Sequence, residues 1–262
     1  MSNILTLNNI VCLTEFMAKG NGSKDSNSPH ISVIIPTLNE EKYLPRCLNS
    51  LSEQRTDLIY EIIVADSDST DGTIDIAKEF GNKVVIEHKR TISAGRNAAI
   101  RASEGDIIMS TDADTVFPPH WIERIAKRFK DPHVAMVYGP AMPNPSESNF
   151  IENAFAEFLK WLAYALFLIG IDFVAGSNLT IRKSTYDKIG GFNPELVTGE
   201  DTDLVRKAHK TGKVVYEPNA PVYVSMRRVQ KWGYVKYITF HTMNFIRTYL
   251  LNKSYEKYEP VR

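Results

Sequence analysis

Asp112-Ala113-Asp114 sets two carboxylates on either side of one small residue, immediately past the apolar run DIIMS at 106–110. Such a pair can hold a divalent cation, and the cation can hold a diphosphate. Mg2+ and Mn2+ prefer oxygen ligands and typically take one or two carboxylates plus substrate phosphates. Held there, the ion would act as a Lewis acid, neutralising charge on a departing nucleoside diphosphate. D-x-D is also a common turn pattern, so its meaning comes from its place in the chain. Two other polar clusters precede it at the ends of apolar runs: Pro36-Thr37-Leu38-Asn39-Glu40, and Asp66-Ser67-Asp68-Ser69-Thr70-Asp71-Gly72-Thr73. A carboxylate at a strand end can accept hydrogen bonds from a base N–H or from ribose hydroxyls. Asp71 stands where a helix begins and is assigned to capping backbone N–H groups, which leaves Asp66 for the nucleotide.

Positioning these clusters requires strands that end side by side. After residue 30, ISVII (31–35), EIIVA (61–65), KVVIE (83–87), DIIMS (106–110) and VAMVY (134–138) alternate with helical patterns over about 42–54, from 73, over about 93–103, and after Pro118-Pro119. Strands alternating with helices predict βαβ units, a mostly parallel sheet and helices on both of its faces. Ligands in such sheets bind beyond the carboxyl ends of the strands, where all three clusters fall. The second half is less regular. WLAYALFLIGI, within 151–171, is a run of eleven residues bounded by Lys160 and Asp172, too short to span a bilayer. It reads first as a buried helix and second as one lying at a membrane interface. Two more helices are expected over 229–237 and 241–251.

The composition fits an α/β enzyme: 262 residues, 43% hydrophobic and 24% charged, with no net charge to argue for nucleic acid. Charge is unevenly placed, however. Eight basic residues follow Met226 (Arg227, Arg228, Lys231, Lys236, Arg247, Lys253, Lys257, Arg262) against Glu256 and Glu259, a tail of +6 on a body of −6. Cys12 and Cys47 form no CxxC, and a reduced, cytoplasmic setting is the simplest expectation. The N-terminus lacks the basic n-region of a signal peptide, and GNGSKDSNSPH (20–30) reads as a flexible linker. The expected organisation is an arm and linker over 1–30, a catalytic domain over 31–225, and a basic, aromatic, helical tail over 226–262.

Five segments in order resemble the family 2 glycosyltransferases: ISVIIPTLNEEKYLPRCLNSL, EIIVADSDSTDGT, SAGRNAAIRASEGDIIMSTDAD, IGGFNPEL and GEDTDL. The resemblance covers about residues 30–224. It implies the GT-A fold and an inverting transferase that uses a UDP-, GDP- or dTDP-activated sugar with Mn2+ or Mg2+. By the same resemblance Pro36, Thr37 and Glu40 line the nucleoside pocket, Asp66 contacts the base and Arg96 reaches the nucleotide. Asp112 touches ribose or metal, Asp114 ligates the metal, and Asp201 is the general base. The chain departs from the family where many members read Asp-Asp-Gly-Ser and it reads Asp66-Ser67-Asp68-Ser69, which leaves the nucleotide open. No QxxRW is present near Trp232, so the processive polymerases are not matched.

The acceptor can be a glycan, a protein or a polyprenyl-phosphate lipid. The apolar run and the basic tail make the inner face of a membrane a candidate partner surface. Two other classes compete: a catalytically inactive nucleotide-sugar-binding module, and a sugar-1-phosphate nucleotidyltransferase. The second needs a Gly-rich loop after the first strand, where this chain has PTLNE.

Overall fold

A computed structural model describes residues 28–251. The arm and most of the linker, Cys12 and the last basic residues of the tail lie outside the described residues. Among the described residues ten strands form two sheets. The larger is built from β1 (Ile31–Thr37), β2 (Tyr60–Asp66), β3 (Lys83–Ile86), β4 (Ile107–Ser110), β6 (Val134–Tyr138), β8 (Leu179–Arg182) and β9 (Lys213–Tyr216), in the order β3-β2-β1-β4-β8-β6-β9. β1 runs parallel to β2 and β4, β2 parallel to β3, and β6 parallel to β9. Only β8 is antiparallel, wedged between β4 and β6. A three-stranded sheet of β5 (Thr115–Val116), β10 (Val222–Val224) and β7 (Ala141–Pro143) stands beside it.

The apolar runs are continuous because helices cover both faces of the sheet. Ile31, Val33 and Ile35 pack with α1 (Leu44–Ser52) and α4 (Trp121–Arg128) on one face. Ile34 turns the other way, toward α3 (Ile92–Arg101), α6 (Lys183–Ile189) and α7 (Glu200–Ala208). Local signals set the boundaries. A Pro in its first turn starts α1, and the Thr91 hydroxyl accepts from Ala94 N–H to cap α3. α2 (Thr73–Glu79) begins after Gly72 rather than directly on Asp71. Asp71 instead accepts from Thr73 N–H at 3.1 Å and from Glu41 N–H at 3.2 Å, so it ties two loops together.

Two expectations for the second half are corrected. The apolar run forms α5 (Phe150–Leu168), opened by an Asn149–Glu152 capping box, and Ala163 is its one fully buried residue. Ile151 is 78% exposed and Leu168 65%, and Phe155, Phe158, Trp161 and Leu162 are also exposed. The buried-helix reading failed because an apolar run has no hydrophobic period from which to tell core from uncovered surface. The last helices break at Gly233, not between 237 and 241: α8 is Arg227–Trp232 and α9 is Tyr234–Leu251. Gly233 has φ of 76°, a conformation that favours Gly. No described helix is long and apolar enough to cross a membrane.

Candidate active site

The strand ends converge as the sequence predicted. In the parallel register Thr37 lies opposite Asp66, and the Thr37 hydroxyl donates to Asp66 Oδ2 at 2.8 Å. Asp66 also accepts from Ser69 N–H at 2.7 Å and from the Ser69 hydroxyl at 2.6 Å. Its exposure is 0%. Asp66, expected to contact the base, thus braces the loop from beneath through Thr37 and Ser69. Asn39 and Asp68, the two non-Gly residues with positive φ among the described residues, shape the same edge. Asn39 N–H donates to the Ser69 hydroxyl at 2.8 Å, and Asn39 Oδ1 accepts from Thr70 N–H at 2.8 Å. Pro36 is half-buried at the end of β1, with the N-terminal turn of α3 packed against it at Gly95.

Arg96 does not reach outward from the GRN segment. It is 1% exposed, and it spans two acidic groups: Nη2 donates to Asp112 Oδ1 at 3.0 Å and Nη1 to Glu200 Oε1 at 2.8 Å. One face of the guanidinium meets the Phe192 ring at 5.4 Å. Close by lies Gly176, where a Cβ would come within 2.6 Å of Nη2. A buried arginine held this way fixes the D-x-D and Glu-Asp segments relative to each other. Gly176→Ala should therefore force this cluster apart and lower stability by about 1–3 kcal/mol, the usual cost of overpacking. A urea-unfolding midpoint equal to that of the wild type would show that the packing yields.

Asp112 and Asp114 sit where the two sheets meet, between β4 and β5. Asp112 keeps 38% of its side chain exposed and Asp114 17%. Burial, with Asp112 and Glu40 nearby, pushes the Asp114 carboxyl up to about 6, although Arg227 opposes the shift. Burial first, then the charges of Asp114, Asp112 and Glu40, push the Cys47 thiol well up, so it remains an inert buried thiol. Glu200 and Asp201 open α7 after Gly199, whose φ is 76°. Burial first, then Asp201, pushes Glu200 up to about 7, and burial also raises Asp201 against the pull of Arg96. Asp201 Oδ1 accepts from Thr202 N–H at 2.7 Å, and Oδ2 has no partner among the described residues.

Arg227 is the site residue that the sequence reading missed, having counted it only as part of a basic tail. Nη1 and Nη2 donate to the two oxygens of Glu40 at 2.8 and 2.9 Å, and Nε lies 2.9 Å from Asp114 Oδ2. Glu40, expected in the nucleoside pocket, is thus 9% exposed and held by this fork. No local signal could have found the pairing, because β10 delivers it: Val224 pairs with Thr115, and Ser225 N–H donates to Asp114 O at 3.2 Å. Among the described residues no three His, Cys, Asp or Glu side chains form a complete metal site. Two converging carboxylates with an excess of negative charge fit an ion that takes its other ligands from phosphates and water.

A mostly parallel sheet flanked by helices, with this carboxylate cluster at its strand ends, has the GT-A fold of the glycosyltransferases it superposes on. The chain belongs to glycosyl transferase family 2, whose profile matches residues 32–190. It is 27% identical over 194 residues to the glycosyltransferase AglE of Haloferax volcanii, covering 71% of this chain and 64% of AglE. The chain therefore spans less than two-thirds of that relative. Among solved structures, a mannosyltransferase from Pyrobaculum calidifontis in complex with GDP-Man and Mn2+ superposes with a TM-score of 0.64 at 21% identity. That match covers 96% of this chain and 73% of the other. Residues 1–349 of TarS from S. aureus, in complex with UDP, give a TM-score of 0.60 at 21% identity, covering 87% and 67%.

Proposed function

We propose that this protein is an inverting hexosyltransferase that uses a UDP-, GDP- or dTDP-sugar and a divalent cation held by Asp112 and Asp114. The observation that carries the reading is the cluster itself. Asp112, which stands with Asp114 past the end of β4, is joined through Arg96 to Glu200, beside Asp201, whose Oδ2 has no partner among the described residues. The nucleoside lies across the ends of β1 and β2, against Pro36 and the loop that Thr37 and Asp66 brace. When bound, Mn2+ or Mg2+ supplies Lewis-acid stabilisation of the diphosphate leaving group. In direct displacement at the anomeric carbon the acceptor hydroxyl must lose its proton as it attacks, and Asp201 Oδ2 receives it. Arg96 holds the two carboxylate segments at a fixed spacing, so proximity is built in before substrate arrives. Donor hydrolysis with added Mn2+ tests the reading. An inactive binding module would bind the donor and leave it intact.

The acceptor we propose is lipid-linked, presented at an anionic membrane surface. The support is the exposed apolar residues of α5, together with Tyr234, Val235, Ile238 and Met243, which are exposed on α9. Beyond Arg227, which is held in the site, the segment 228–251 adds four basic residues and no acidic one. Each Lys or Arg near an anionic leaflet contributes about 1 kcal/mol. In liposome flotation the protein should rise with anionic vesicles at low salt and fall back at high salt. Protein that stays at the bottom with anionic vesicles at low salt would move the acceptor to a soluble glycan or protein.

A further inference from the structure

Arg227 ties together three segments that are distant in sequence. All three of its guanidinium nitrogens meet carboxylate oxygens, two on Glu40 and one on Asp114, and its carbon lies 4.5 Å from the centre of the Tyr43 ring. The chain is anchored just ahead of the helix that carries it. Glu147, paired with Arg46 at 2.6 Å, accepts from the Ser225 hydroxyl and from Met226 N–H, both at 2.8 Å. A planar fork matched to a carboxylate in this way loses little freedom in binding it.

We infer that Arg227 is a cation latch on the metal carboxylates: it occupies Asp114 Oδ2, and a divalent ion gains that oxygen only as the guanidinium withdraws. This inference rests on the metal reading of Asp112 and Asp114 proposed above. Two cations within a few ångströms repel, and the repulsion is stronger in a partly buried site than in water. The geometry gives the latch a way to open without leaving the site. Glu40 alone takes both terminal nitrogens, so Arg227 can stay docked there while Nε releases Asp114. The moving element is then the short helix α8, which Gly233 separates from α9; a Cβ at Gly233 would meet nothing within 4 Å. Metal binding is thereby coupled to the position of α8, and Arg227 sets how tightly the nucleotide-free protein holds its ion.

The test uses Mn2+ alone, titrated by calorimetry into nucleotide-free protein. Arg227→Met should bind Mn2+ roughly tenfold or more tightly than the wild type, because the competing charge is gone, and Asp114→Asn should lose the binding. A second measurement needs no variant: saturating Mn2+ should speed amide hydrogen exchange across residues 227–232 of the wild-type protein and leave α1 unchanged. An Arg227→Met protein that folds normally and binds Mn2+ no tighter than wild type overturns the latch. So does exchange in α8 that ignores Mn2+. If Asp114→Asn binds Mn2+ as the wild type does, the metal reading falls and takes the latch with it, a result that owes nothing to Arg227.

Discussion

Asp201→Asn should cut turnover at least ~10²-fold, the lower end of general-base effects, and leave donor affinity nearly unchanged. The substitution is close to isosteric. Its side-chain oxygen can still accept from Thr202 N–H, the 2.7 Å contact that orients the group, so the loop keeps its shape and only the proton acceptor is lost. The wild-type pH profile gives an independent check. A base works only when ionised, and burial raises the Asp201 carboxyl while its neighbour Glu200 is pushed up to about 7. The two titrate as a pair. Turnover should therefore fall as the pH drops, with a midpoint above the ordinary carboxylate range. Unchanged turnover in Asp201→Asn at saturating acceptor would place the base elsewhere, or make the acceptor an anion that attacks without one.

Asp114→Asn should abolish metal-supported turnover without lowering thermal stability at neutral pH. The two halves of this prediction separate chemistry from folding. Asn still offers Arg227 Nε an oxygen, but a neutral amide is a poor ligand for Mn2+ or Mg2+. The stability sign follows from the shift. A carboxyl raised to about 6 when folded, against roughly 3.9 when unfolded, stabilises the fold fully below the lower value, and loses that contribution as pH rises through the higher one. At pH 7.5 the wild-type protein therefore keeps an unfavourably buried charge that Asn removes. A variant melting well below the wild type would make its inactivity a folding defect. Full wild-type activity in excess EDTA would remove the metal from the mechanism.

Much of the fold was legible because the physics that produces it is local. The runs at 31–35, 61–65, 83–87, 106–110 and 134–138 each became a strand, since β-rich runs punctuated by turn residues leave the chain few alternatives. β8 was not legible: LTIR carries no mark of direction, and it is antiparallel only because it enters between β4 and β6 from the far side. α5 was misread for a related reason. Apolar residues on every side of a helix state that it is hydrophobic but not what covers it.

By itself the sequence determined that Asp66, Asp112 and Asp114 stand at strand ends, and that Glu200 and Asp201 open a helix. Strand ends and helix starts follow from patterns a few residues long. Which charges meet was decided only by the tertiary structure. Arg96 lies between Asp112 and Glu200, 104 positions from the latter, and Arg227 reaches Glu40 across 187. Nothing in the spacing of these residues forecasts either contact, because each depends on how separate strands pair: β10 against β5, and β4 beside β8. Pairing of strands is a property of the whole sheet, and it turns an arginine counted as surface charge into a partner of Asp114.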